Sequence, residues 1–279
     1  MIIEEHPIDI SGNQQIFTRW CMPKSKLAGI LLVVHGLGEH SGRYATHFSE
    51  FYTGHNFGVV AFDLPGHGKS SGKRGHIENP IWLLECIDRL IQMIEDRFPD
   101  LSIFLYGHSF GGEITLWYSL VRNPTVKGVI LSAPLIGPKD SVPLPKLILA
   151  KTMDKIMPSF CMDNGLRTEK LSRDPDIVNR YRTDPLVHNQ VSARTGMVII
   201  NRGKWISDHI QENRQKMLLM VGEMEAIVNP DAIHHLAQKE GKIEFKVWPG
   251  LCHELHNEPE KLDVMNYCMD WMMNGKCHS

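Results

Sequence analysis

Gly107-His108-Ser109-Phe110-Gly111 sets a serine between two glycines at the spacing Gly-x-Ser-x-Gly. These residue types suit nucleophilic catalysis. Glycine on either side lets neighbouring chain approach where a Cβ would collide. Five residues with three fixed are a weak motif by themselves, but their flanks add to it. Ile103 to Tyr106 is an apolar run that reads as a strand, and Gly112 to Leu120 reads as a helix. A nucleophile elbow needs that strand-turn-helix order, because the strained turn lifts the serine above the sheet. The helix start also offers N–H groups and a positive dipole end to a developing oxyanion. A glycine-rich turn without chemistry is the competing reading, and the context speaks against it.

A serine hydroxyl needs a base, and imidazole is matched to neutral pH. The chain has 15 histidines. Elbow enzymes run in the order serine, acid, histidine, so the base belongs in a loop after the last strand. Ile243 to Trp248 reads as that strand, and Pro249-Gly250-Leu251-Cys252-His253 as the loop. His253 is the candidate base, with His256 as its rival. Cys252 would set a thiol, or only a small buried side chain, beside the base. His253-Glu254-Leu255-His256 lacks the His-Glu-x-x-His spacing, so no metal is expected. The acid should follow the strand ending at Val221. Glu225 holds the tip of that loop; Glu223 and Asp231 stand as alternatives, and Asp231 reads better as a charge in the first turn of a helix. The expected oxyanion donors are the backbone N–H groups of Phe110 and Leu37, the latter in His35-Gly36-Leu37-Gly38. His35 reads as a residue that orders this loop.

The elements needed to position these groups are visible as short apolar runs. Gly29 to His35, Gly58 to Asp63, Leu101 to Tyr106, Val126 to Ser132 and Met217 to Val221 precede Ile243 to Trp248. Continuous runs of this kind suit parallel strands covered on both faces. Ile81 to Arg97 carries Leu84, Ile87, Ile91 and Ile94 on one stripe, which predicts a helix that stops before Pro99. Strand-helix alternation predicts an α/β fold. The alternation breaks after Ser132-Ala133-Pro134 and resumes at Met217. The chain therefore divides into a core of residues 1–135 and 214–279 and an inserted, mainly helical cap of residues 136–213. About 75 residues is far longer than an ordinary strand connection. Within it, Leu144, Leu147, Ile148, Leu149, Met153, Ile156, Met157 and Phe160 alternate with Lys146, Lys151 and Lys155. That pattern reads as a helix packed on the sheet domain, or as a lid that lines an acyl tunnel and touches lipid. On the lid reading, Leu147 and Ile148 would face the acyl chain.

Bulk properties narrow the classes. The chain has 279 residues and a formal net charge of −2, so nothing favours a nucleic-acid partner. The amino terminus lacks a basic segment followed by an apolar core, and no stretch of about 18 apolar residues occurs. Six scattered cysteines without a Cys-x-x-Cys pair suit free thiols and a cytoplasmic location.

Several blocks together resemble the monoacylglycerol lipase and lysophospholipase branch of the α/β-hydrolases. They are His35-Gly36-Leu37-Gly38-Glu39-His40-Ser41-Gly42-Arg43-Tyr44, Asp63-Leu64-Pro65-Gly66-His67-Gly68-Lys69-Ser70-Ser71-Gly72, Gly107 to Gly112, Ser132-Ala133-Pro134-Leu135 and Asp184-Pro185-Leu186. The resemblance implies a mostly parallel eight-stranded sheet, helices on both faces, a cap over the acyl site, no cofactor, and action on monoglycerides or similar single-chain esters. It also implies an aspartate in a Gly-x-x-Asp pattern after the sixth parallel strand. Gly222-Glu223-Met224-Glu225 departs from that pattern and sets a glutamate there. A lysophospholipase, general carboxylesterase, thioesterase or peptidase stays open at this stage, as does a non-catalytic binding relative. Ser109 speaks against a dehalogenase or epoxide hydrolase, which would need aspartate at that position.

Overall fold

The computed structural model describes residues 1–10, 14–139 and 142–274. The chain opens on two antiparallel strands, β1 (Ile2–Asp9) and β2 (Gln15–Met22). No continuous apolar run announces them, because Glu4, His6, Thr18 and Arg19 interrupt the pattern. Four parallel strands follow: β3 (Gly29–Val34), β4 (Phe57–Phe62), β5 (Ile103–His108) and β6 (Gly128–Ser132). Each lies within two residues of its anticipated start. Between them run α1 (His47–Gly54), α2 (Ile81–Arg97) and α3 (Phe110–Arg122). After β6 come α4 (Leu144–Ile156), β7 (Cys161–Asp163), α5 (Pro175–Thr183), β8 (Gln190–Ser192) and α6 (Ala193–His209). The chain closes with β9 (Met217–Gly222), α7 (Pro230–Lys239), β10 (Ile243–Trp248) and α8 (Lys261–Asn274).

Eight strands form one sheet in the order β1-β2-β4-β3-β5-β6-β9-β10, and β7 pairs with β8 separately. In β3, Ile30, Leu32 and Val34 join one buried cluster, whereas Leu31 and Val33 join another. Successive strand side chains point to opposite faces, so a run apolar at every position demands cover on both sides. Here α2, α3 and α7 cover one face, and α1 and α8 the other. The anticipated stripe of α2 is buried, from Leu84 and Ile87 to Ile91 and Ile94.

β6 and β9 are neighbours in the sheet, so everything from α4 to α6 is inserted between two adjacent strands. Within the insertion, α6 packs on α3 and α4 packs on α6. No residue of α4 is buried. This helix therefore does not press an apolar side onto the sheet.

Candidate active site

The switch from β5 to α3 places Ser109. Its backbone adopts φ 53° and ψ −118°, a region that side chains rarely occupy. Such a conformation costs about 1–3 kcal/mol and persists only where its surroundings impose it. Here the surroundings are close. A Cβ on Gly111 would stand 2.1 Å from the Val34 carbonyl oxygen, and one on Gly107 would stand 2.7 Å from the Gly111 carbonyl oxygen. The Ser109 amide donates to the Ser132 carbonyl at 3.0 Å, which ties the turn to the next strand.

The loop after β3 lies opposite. His35 is fully buried; its Nε2 accepts from the Leu64 amide at 2.9 Å, and its Nδ1 donates to the Gly36 carbonyl at 2.8 Å. Burial holds this imidazole below its ordinary range, hence neutral, as that donor-acceptor pattern requires. A trans peptide points its C=O and N–H in opposite directions. Fixing the Gly36 carbonyl toward His35 therefore turns the Leu37 N–H away from it. Leu37 and Ser109 border the same cavity. Phe110 opens α3, where a backbone N–H has no intrahelical acceptor.

His253 follows β10, as expected, and is 2% exposed. Its Nδ1 lies 2.8 Å from Oε2 of Glu225, in the loop after β9. The other carboxylate oxygen, Oε1, accepts from the amides of Ile227 at 2.7 Å and Val228 at 3.1 Å. Burial alone would push the Glu225 carboxyl up, but the charge and hydrogen bond of His253 and the two amides hold it below the usual range. Burial would likewise lower His253, but Glu225, helped by Glu254 and Glu39, holds it above the usual imidazole range.

The alternatives sit elsewhere. His256 is 1% exposed and stacks on Tyr44 with ring centroids 4.9 Å apart, inside an aromatic cluster with Phe48 and Tyr106. Glu223 accepts from the Gly250 amide at 2.9 Å. Asp231 lies in the first turn of α7, where Asn229 caps its amide. Cys252 is 8% exposed, and burial raises its thiol.

Ser109, His253 and Leu37 border a cavity of about 900 Å³. Its walls are mostly apolar, with Leu149, Ala150 and Met153 from α4 and Ile199 and Ile200 from α6. Leu147 and Ile148 do not border it, contrary to the sequence expectation. Ile148 lies outside the cavity with Leu144 and Ile156, at 56%, 67% and 73% exposed, whereas Leu149, itself 55% exposed, opens onto it. One α4 face thus lines the cavity while the other meets solvent, and the register of a short helix cannot be assigned from composition alone.

One group of residues escaped sequence reasoning. Half-buried Arg43 contacts Glu39 Oε2 at 2.5 Å and holds Glu254 in a two-pronged pair at 2.6 and 2.7 Å. Glu39 Oε1 also accepts from the Gly36 amide at 2.6 Å and from the Tyr44 hydroxyl at 3.0 Å. Arg43 therefore joins the loop of Leu37 to the loop of His253. Only the closeness of Glu254 to His253 in sequence hinted at this.

The chain matches the Hydrolase_4 family (serine aminopeptidase, S33) over residues 25–260. It belongs to that family. It is 28% identical to the monoacylglycerol lipase of Mycolicibacterium smegmatis over 95% of both chains. It is 33% identical to an uncharacterized abhydrolase domain-containing protein of Dictyostelium discoideum, over 94% of this chain but only 28% of that longer protein. The crystal structure of Paleococcus ferrophilus monoacylglycerol lipase aligns with a TM-score of 0.83 and 31% identity, over 99% of this chain and 100% of that one. The chain is a monoacylglycerol lipase-like serine hydrolase of the α/β-hydrolase fold. Among the described residues, no helix is long and apolar enough to cross a membrane.

Proposed function

We propose that Ser109, His253 and Glu225 form the catalytic triad of an esterase acting on single-chain lipid esters, monoacylglycerols foremost. The observation that carries this reading is the His253–Glu225 hydrogen bond beside a large apolar cavity that Ser109 borders. Ser109 Oγ attacks the ester carbonyl while His253 takes its proton. Negative charge grows on the carbonyl oxygen and is met by the Leu37 and Phe110 amides. His253 then returns the proton to the leaving alcohol. Water repeats the cycle on the acyl-enzyme and releases the fatty acid. Glu225 keeps the His253 tautomer and steadies the imidazolium.

Residues 136–213 act as the cap in this reading. The α4 face at Leu149, Ala150 and Met153 receives the acyl chain. The outward face at Leu144, Ile148 and Ile156, with Lys151 and Lys155 beside it, makes contact with lipid surfaces. Cys21, Cys86, Cys161 and Cys252 are free thiols, which favours the cytoplasm.

The family description also raises a peptidase. An aminopeptidase needs a carboxylate for the substrate ammonium. The cavity-bordering carboxylates, Glu39 and Glu254, are both held by Arg43, which favours the ester reading.

A fluorophosphonate probe tests the nucleophile, with p-nitrophenyl esters of rising chain length and a monoacylglycerol as substrates. Wild type should label and hydrolyse. Ser109→Ala should not label and should lose about six orders of magnitude in kcat. Equal labelling of the two would remove Ser109 from the mechanism.

A further inference from the structure

The turn that carries Glu225 is gripped from the inserted stretch at several points. Arg167 Nη2 donates to the Ala226 carbonyl at 3.1 Å. The Lys139 amide donates to the Ile227 carbonyl at 3.2 Å, and Lys139 Nζ reaches the Glu225 carbonyl at 3.0 Å. The Asn229 amide donates back to the Gly137 carbonyl at 3.0 Å, and Pro138 and Val228 form an antiparallel bridge. Neither Lys139 nor Arg167 enters an ion pair among the described residues.

These contacts fall on the peptide units that hold the carboxylate. The peptide whose carbonyl Arg167 binds has its N–H on Ile227, and that N–H donates to Glu225 Oε1 at 2.7 Å. The peptide whose carbonyl the Lys139 amide binds has its N–H on Val228, which donates to the same oxygen at 3.1 Å. A trans peptide is planar, so holding its C=O on one side aims its N–H at the other. A hydrogen bond to the carbonyl also polarises the N–H beyond it. The relay runs from Arg167 through one peptide to Glu225, and from Glu225 to His253. Glutamate has one more rotatable bond than aspartate and loses more freedom when fixed, so its placement depends more on such bracing. The stretch is itself anchored: a Cβ on Gly203 of α6 would stand 2.3 Å from the Ile136 carbonyl oxygen.

We propose that Arg167 and Lys139 are positioning residues that set the triad acid from the inserted stretch, making the alignment of Glu225 depend on where that stretch sits. The proposal rests on Glu225 being the acid. Displacing the stretch frees the two amides, and Glu225 then loses its hold on His253.

The test compares full-length wild type with Arg167→Met, Lys139→Met, the double variant and Arg167→Lys. Hydrolysis of p-nitrophenyl butyrate is followed across pH, and the far-downfield proton resonance of His253 Nδ1–H is recorded by NMR. Arg167→Met should lower kcat about 10-fold, and the double variant towards 100-fold, with KM little changed. The acid limb of the pH profile should move to lower pH, because His253 loses part of the partner that raises it. The downfield resonance should weaken, and Arg167→Lys should recover most of the loss. An unchanged limb and resonance would overturn the proposal, whatever happens to kcat or thermal stability. Glu225→Gln is run in parallel. If it matches wild type, the acid reading falls and takes this proposal with it. If it is impaired while the Arg167 and Lys139 variants are not, only the positioning role falls.

Discussion

His253 Nδ1 sits 2.8 Å from Glu225 Oε2, across 28 residues of chain and on the loops of two adjacent parallel strands. A glutamate thus reaches the imidazole from the loop where the resemblance implied an aspartate. It does so because its second oxygen is bound to the Ile227 and Val228 amides. The longer side chain folds back on its own turn, which takes up the extra methylene.

Removing this carboxylate should be costly. Glu225→Gln keeps the shape but can leave His253 in the wrong tautomer, and kcat should fall by about 10³–10⁴-fold. Glu225→Asp should be milder, because the charge stays while the reach shortens. Steady-state kinetics on a soluble ester checks both, and full activity in Glu225→Gln would move the acid elsewhere.

The pH dependence follows from the same pair. His253 must be neutral to act as base, and it is held above 6.5. Activity should therefore fall on the acid side of a midpoint above 6.5, and Glu225→Gln should move that midpoint down. Stability has its own window. The raised His253 contributes fully below 6.5, and its contribution is lost as pH rises through its folded value. The depressed Glu225 contributes above 4.5, and its contribution is lost as pH falls through its folded value. Urea melts should show the largest loss in Glu225→Gln between those limits, and a loss independent of pH would contradict the linkage.

Chain-length selectivity should respond to the cavity wall of α4 and not to its outer face. Met153→Trp narrows the cavity. It should lower kcat/KM for long-chain esters about 10-fold or more relative to short ones, at about 0.8 kcal/mol for each methylene excluded. Ile148→Ser should leave the chain-length profile alone but weaken binding to lipid vesicles, measured by flotation. A shift of the profile in Ile148→Ser would place the acyl chain on the other side of the helix.

Arg43 is expected to matter for stability as well as activity. Arg43→Met would leave Glu39 and Glu254 buried without their cation, at a cost of about 3–5 kcal/mol. Urea denaturation measures it. A loss under 1 kcal/mol would mean that water or another cation replaces the guanidinium.

Much of the core was legible because its physics is local. The runs at Gly29, Gly58 and Met217 are apolar at every position, and only a strand covered on both faces satisfies them. The stripe of Ile81 to Arg97 leaves one helical register. The hairpin of β1 and β2 was not legible: the edge strand β1 tolerates Glu4 and His6, and the inner strand β2 buries Arg19 only because Glu5 and Asp63 pair with it. The orientation of α4 was not legible either. Leu147, Ile148 and Leu149 are consecutive and alike, and only packing on α6 decides which of them meets the cavity.

By itself the sequence determined the elbow at Ser109, the loop holding His253 and the order of the elements, because turn chemistry and chain order act over a few residues. Tertiary structure decided the rest. It set Glu225, already the candidate acid of the sequence, within hydrogen-bond reach of His253, and sent His256 into an aromatic cluster. It joined Arg43 to Glu254, and brought Lys139 and Arg167 to the turn behind Glu225. Each of these is a contact between segments far apart in the chain. Such contacts depend on how strands stack and loops meet, which no local pattern encodes.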